Sequence, residues 1–272
     1  MTATTASPSL ALGERSALRI PRQAWLPAVG IAVAVALWWL ATEVIFAGRP
    51  LVSQFSPALA VRGLAELAAG PLLNAASASV FRLLAGLIIA TILGTLIGLA
   101  VGSLRSVDQA ASPVLLFLRM VSPLSWAPVV VIAFGVGDPP VVALVTAAAV
   151  WPIATGVAEG VRAVNPGHVS VARSLGATRA EVLRRVTWPT VQPALLTGVR
   201  QALGIAWVVL VPAEMLGVTS GLGYQILNAK DQLAYHHVTA LILVIGTLGY
   251  LIDTVARWAL ATRRQRLAEA AT

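Results

Sequence analysis

The chain has 272 residues, 58% of them apolar, and its 22 Gly raise that share to roughly 66%, where soluble domains average about 45–50%. Charged residues make up only 11%, against about 25% for a soluble domain. Despite a net charge of +8, this composition excludes an ordinary cytosolic enzyme, a disordered chain and a nucleic-acid binder, and leaves an integral membrane protein built of helices.

Residues 1–23 are polar, rich in small side chains and carry Arg15, Arg19 and Arg22, which reads as a cytosolic tail. The apolar run 24–44 is about twice the length of a signal-peptide core and is followed by further spans, so it is taken as the first transmembrane helix, with Trp25 as an interfacial anchor. Residues 47–79 are less apolar. Ala60, Leu64 and Leu67 recur at helical spacing with Arg62 and Glu66 on another face, which predicts an amphipathic helix outside the hydrocarbon, bounded by Pro57 and Gly70-Pro71. Further spans are predicted at 83–104, 120–137 (interrupted by Pro123 and Pro128), 139–158, 194–216 and 238–258. Residues 261–272 form a second tail.

Six spans put both termini on one side of the membrane. To that side fall Arg15, Arg19, Arg22, Arg105, Arg119, the arginines of the 159–190 loop, Arg200 and the C-terminal arginines; the other side receives Arg49, Arg62, Arg82 and Lys230. By the positive-inside rule the termini and the 159–190 loop are cytosolic. In the second span Gly86, Ala90, Gly94, Gly98 and Gly102 make a stripe of small residues, suited to close helix packing within one subunit or between subunits. The chain has no Cys and no His-x-x-x-His spacing, so no metal site is expected, and His236-His237 read as a solvated turn.

The 159–190 loop carries unusually explicit helix punctuation. Asn165-Pro166 is a helix start, Gly176 a helix end, and Thr178-Arg179-Ala180-Glu181 a capping box opening a second short helix. That helix places Val182, Leu183 and Val186 together beside Arg184 and Arg185, and Trp188-Pro189 is expected to stop it at the membrane surface. A DNA-reading helix-turn-helix is excluded by the membrane tethers at both ends, while an amphipathic helix resting on lipid headgroups competes.

The spacing resembles the cytosolic loop of permease subunits of bacterial ABC importers, of form Glu-Ala-Ala, three residues, Gly, nine residues, Ile-x-Leu-Pro. Here Ser170-Val171-Ala172 and Gly176 stand at the first half, and Val186-Thr187-Trp188-Pro189 at the second. Ala172, Gly176 and Pro189 agree outright and Val186 conservatively; Ser170 replaces the Glu, Val171 the Ala and Trp188 the Leu. Ser79-Val80-Phe81-Arg82, Phe134-Gly135-Val136-Gly137, Gly198 to Gly204, Ala213-Glu214-Met215-Leu216-Gly217 and Gly221-Leu222-Gly223-Tyr224 are similar to the nitrate/sulfonate/taurine/bicarbonate branch.

The resemblance implies an all-α integral membrane protein of six transmembrane helices, with a cytosolic helix–Gly–helix coupling loop between the fourth and fifth. It implies a bacterial inner-membrane permease and not an enzyme. It also implies as partners a second copy of the chain, two ATP-binding subunits, an extracytoplasmic binding protein and the bilayer. The chain holds no cofactor: it has no Gly-x-x-x-x-Gly-Lys phosphate loop, and Lys230 is its sole Lys. Ser170, Ala172, Arg173, Leu175, Gly176, Arg179, Val186 and Pro189 are the expected ATPase-docking residues. The cargo implied is a small oxyanion such as an aliphatic sulfonate, taurine or nitrate; a different small organic solute and an ion-coupled secondary transporter stay open. Glu214 is read as a pathway carboxylate or as a structural group paired with Arg82, and Asp253–Arg257 as a helical i,i+4 pair. Arg82, Arg119 and Arg200 are all placed near helix ends. Trp38, Trp39, Trp126, Trp151 and Trp207 are read as packing or anchoring groups.

Overall fold

A computed structural model describes residues 25–70 and 72–260; the two expected tails and Pro71 lie outside them. The described residues are helical throughout, with no strand among them. They divide into two units, one ending at Pro57 and the other beginning at Ala58.

The first unit is α1 (Leu26–Leu40), extended by a wider π-type turn (Ala41–Ile45), and a single turn, α2 (Pro50–Ser53). Together Leu26–Ile45 make 20 residues of continuous helix, about 30 Å and the thickness of a bilayer core. The apolar side chains of this helix are almost all exposed, as a lipid-facing helix requires. Trp38 donates its indole N–H to the Phe55 carbonyl 2.9 Å away, which ties the returning chain to the helix.

The second unit contains α3 (Pro57–Ala68), α4 (Leu72–Ser103), α5 (Arg105–Met120), α6 (Ala127–Phe134) and α7 (Asp138–Arg162). It continues with α8 (Pro166–Ser174), α9 (Arg179–Val182), α10 (Trp188–Gly217), α11 (Leu222–Asp231) and α12 (Tyr235–Leu260). The central helix is α7, flanked by α4 and α10, with Leu83, Leu144, Val145, Ile153, Val157 and Leu210 at its core. The small-residue stripe of α4 is consumed here. A Cβ added at Gly94 would lie 2.8 Å from the Val150 carbonyl oxygen, and one at Gly102 would lie 2.7 Å from Val161 Cβ. The stripe therefore packs α4 on α7 of the same chain, the first of its two expected roles, and is not a subunit interface. A second apolar cluster joins Leu67 of α3, Ala75 of α4, Leu222 and Ala229 of α11, and Leu241 of α12.

Among the described residues, five helices are long and apolar enough to cross a membrane, or six if one bent pair counts as a span. That pair is the third expected crossing. Instead of one helix over 120–137, α5 and the 3₁₀ turn Pro123–Trp126 with α6 meet at 87°. The cause is local: Val121 and Ser122 are extended, as the residue before a proline prefers, and Pro123 restarts the helix. The second span begins at Leu72 and not at Leu83, because Ser79 and Arg82, which look like a polar boundary, are buried and paired. Trp188-Pro189 does not end a helix. The π-type turn Leu183–Thr187 makes room for the proline ring, and helix continues from Arg179 to Gly217, 39 residues in all. Neither α5 nor α11 was expected as a separate helix.

His236 and His237 lie in the first turn of α12, not in a solvated loop, and face Glu66 of α3. The expected pair Asp253–Arg257 forms at 2.7 Å, and Arg62 and Glu66, placed together on the polar face of α3, also pair, at 3.2 Å.

Replacing Gly94 by Leu should lower the thermal unfolding midpoint in detergent by forcing α4 from α7, an overpacking cost of about 1–3 kcal/mol. Gly246→Ala, where a new Cβ would meet nothing within 4 Å, should leave the midpoint unchanged or raise it.

Candidate functional site

Two constellations stand out, one at each end of α10. At its start is the elbow. Asn165 caps α8 by accepting from the Gly167 N–H at 2.8 Å. The helix closes with paired bonds, Gly176 N–H to the Arg173 carbonyl and Ala177 N–H to the Ala172 carbonyl, which put Gly176 at φ 82°. A Cβ at Gly176 would meet nothing within 4 Å, so backbone conformation, and not space, demands glycine there. The capping box then forms in full: Glu181 N–H donates to Thr178 Oγ1 at 3.3 Å, and Thr178 N–H donates to Glu181 Oε2 at 2.9 Å. The Thr178 N–H and hydroxyl hold the Glu181 carboxyl below its ordinary pKa.

Between the two short helices lies a shallow concavity of about 340 Å³ lined by Ala172, Leu175, Gly176, Val182, Arg185 and Val186. Leu175 is 83% exposed at its rim, a large apolar side chain with no cover from its own chain. Ser170, Arg173, Arg179 and Pro189 are also exposed but do not line the concavity. Val182 is buried while Leu183 is 47% exposed, so the expected apolar face of the second helix is split. Arg173, Arg179 and Arg184 make no ion pair with any described residue.

At the far end of α10, Arg82 and Glu214 meet, 3% and 0% exposed, with Nη1 and Oε1 2.7 Å apart. Arg82 also donates from Nε to Asp138 Oδ1 at 2.7 Å, from Nη1 to the Ser220 carbonyl and from Nη2 to the Ser220 hydroxyl. Glu214 accepts from the Ser79 hydroxyl at 2.8 Å and from the Gly223 N–H at 2.9 Å. Ser79 Oγ in turn accepts from the Leu222 N–H. Three sequence segments singled out separately thus converge on one network, with Asp138 and Ser220 added to them. Gly221, at φ 105°, passes so close that an added Cβ would collide with Glu214 Oε1. Both charges are engaged by several partners and both side chains are buried, which is the geometry of a clamp.

A third feature escaped the sequence reading. Thr197, Arg200, Gln201 and Gly204 are all exposed along one face of α10. Arg200 is not near a helix end: it stands two residues from Gly198, whose Cβ position lies 3.2 Å from Cα of Ile153, in the middle of α7. Arg200 makes no ion pair among the described residues. A mid-span cation facing lipid is costly, so this face requires protein or water beside it. The three-and-four spacing of polar residues in an apolar run was the available signal. The tryptophans pack as expected where they are tied: Trp207 lies against Gly249 of α12.

Residues 86–265 match the model of the binding-protein-dependent transport system inner membrane component family. The chain is 32% identical over 238 residues to the taurine transport system permease protein of Escherichia coli strain K12, covering 86% of each. It is 34% identical over 183 residues to the bicarbonate transport system permease protein of Synechococcus elongatus, covering 66% of each. Among solved structures, the inward-facing MetNI methionine ABC transporter gives a TM-score of 0.54 at 20% identity, over 66% of this chain and 92% of that one, a likeness of fold.

Replacing Arg82 by Met leaves Glu214 buried and uncompensated, and should destabilise the chain by about 3–5 kcal/mol. In a double-mutant cycle with Glu214→Gln, the coupling measured by thermal unfolding in detergent should exceed about 1 kcal/mol.

Proposed function

The chain belongs to the binding-protein-dependent transport system inner membrane components, and on that premise we propose that it is the permease subunit of an ATP-driven importer of a small oxyanion. Two copies would enclose the pathway, two separate ATP-binding subunits would hydrolyse ATP, and an extracytoplasmic binding protein would deliver cargo. The observation that carries the reading is the elbow: a rigid, doubly capped helix pair with an exposed Leu175 and unpaired arginines, set between two long apolar helices. An apolar knob on a rigid, cationic protrusion suits an acidic groove on a soluble partner better than a lipid surface, where the pair would not need a fixed bend. Ala172, Leu175, Gly176, Val186 and Arg185 would make the contact, with Ser170, Arg173, Arg179 and Pro189 around it. By the arginine bias, elbow and termini face the cytosol.

The polar face of α10 supports the pathway and the second copy together. Arg200 at mid-height is tolerable where a partner helix or water covers it, and a two-fold pair of such faces would bring two guanidinium groups and the Thr197 and Gln201 donors to one channel. A concavity of about 440 Å³ beside Val131, Ile132 and Leu216 would also be open to the second copy. Guanidinium groups match sulfonate, nitrate or bicarbonate oxygens, and the taurine and bicarbonate permeases above are named for such cargo. A proton-coupled carrier would need an exchangeable intramembrane carboxylate, whereas Glu214 is fully buried and clamped.

Gly176→Val strains a left-handed position by about 1–2 kcal/mol and should abolish coupling of ATP hydrolysis to uptake while membrane insertion survives; full coupling would refute the docking role. Arg200→Gln should cut uptake by roughly ten- to a hundredfold without weakening ATPase association. A deletion strain should fail to grow on taurine, another alkyl sulfonate or nitrate as sole sulfur or nitrogen source, and unimpaired growth on all of them would reject the oxyanion. A single Cys at Ser170, in this cysteine-free chain, should resist an impermeant thiol reagent in intact cells.

A further inference from the structure

At the end of the helix array opposite the elbow, α3 lies against the first turn of α12, and three groups meet there. Glu66 Oε2 is 2.9 Å from His237 Nε2 and 3.4 Å from His236 Nε2. The three donor atoms all lie within 4.8 Å of one another. Donors that each bind a tetrahedral zinc-like ion at 2.0–2.2 Å are separated from one another by about 3.3–3.6 Å, and the two distances to Glu66 lie close to that range. The placement is built into the backbone. Gly63 is one helical turn before Glu66, and a Cβ there would lie 2.8 Å from the His236 carbonyl oxygen and 3.3 Å from the His237 ring. Only glycine lets α3 come close enough to set the carboxylate over both rings. Arg62 binds the other carboxylate oxygen, Oε1, at 3.2 Å, which turns Oε2 toward the imidazoles. The rings are adjacent in sequence yet present the same nitrogen to one point, with centroids 4.2 Å apart. All three side chains are between a quarter and a half exposed, so an ion can enter from water.

We propose that Glu66, His236 and His237 form a binding site for a divalent transition cation of the zinc class, cross-linking α3 to α12. Two imidazole nitrogens and one carboxylate oxygen suit zinc, cobalt or nickel, and reject magnesium and calcium, which take oxygen donors. Three protein ligands leave the fourth position to water or to a group from a docked partner. The bound ion fixes α3 on α12 at the face where, by the topology above, a binding protein would approach. The site is independent of the elbow and of the pathway, and neither is needed for the ion to bind.

The test uses the full-length chain, purified in detergent without a histidine tag and stripped with chelator. Zn²⁺ titrated calorimetrically should bind at one ion per chain, and Co²⁺ should give the visible absorption of a tetrahedral nitrogen–oxygen site. The double variant His236→Gln/His237→Gln should lose at least tenfold in affinity and the absorption band with it, and Glu66→Gln should also weaken binding. His168→Gln, in the elbow, should bind as the parent does. Zn²⁺ should raise the unfolding midpoint of the parent and of His168→Gln but not of the double variant, whose midpoint without metal reports that it is folded. Absence of binding to the parent, or binding undiminished in the double variant, would overturn the site and leave a hydrogen-bonded cluster alone.

Discussion

Burying an arginine and a glutamate inside a membrane protein costs several kcal/mol per ion unless every polar atom around them is engaged. The Arg82–Glu214 clamp meets that condition by drawing on four separate segments. Ser79 and Arg82 come from α4, Asp138 from the start of α7, Glu214 from α10, and Ser220 with the backbone of Leu222 and Gly223 from the turn into α11. Shifting any of them would orphan a charge, so the register of α4 against α10 is fixed at this point. From there the small-residue stripe of α4 follows α7 downward, with close approaches at Gly86, Gly94, Gly98 and Gly102.

The same constraint explains which parts of the sequence were readable. Long apolar runs announced the spans, and the elbow's Asn-Pro, Gly and capping box announced their helices, because those signals are local. The pairing of Arg82 with Glu214 was legible as chemistry, since an intramembrane carboxylate wants a cation. The start of α4 was not, because Ser79 and Arg82 look like solvent-facing residues until partners 132 to 143 positions away are in place. The bend before Pro123 was half visible: proline marked the break, but not that the helices on either side would meet near a right angle.

The remaining misreadings share a cause. Pro189 ordinarily ends a helix, and here a widened turn one residue ahead absorbs it. Arg200 was assigned to a helix end because α10 was drawn too short, and extending α10 back to Trp188 moves that cation into the span. His236 and His237 were assigned to a loop because α12 was started after them; in its first turn they gain a direction, and Glu66 a partner, with the His237 ring foremost in holding the carboxyl below its ordinary pKa. In each instance a boundary error of a few residues changed the chemistry assigned to a side chain.

The continuous helix from Arg179 to Gly217 has the form of a lever. At 39 residues it is about 58 Å long, with the elbow at one tip and Glu214 near the other. With its pivot beside Arg200, about 26 Å from Gly217, a tilt of about 5° would carry the far tip by about 2 Å. The clamp at that tip would hand the displacement to α4 and α7, since neither can let go of Arg82 or Glu214 without stranding a charge. The exposed polar face of Arg200 lies between the two tips, where a small rotation of the rod would alter the width of a passage bordering it.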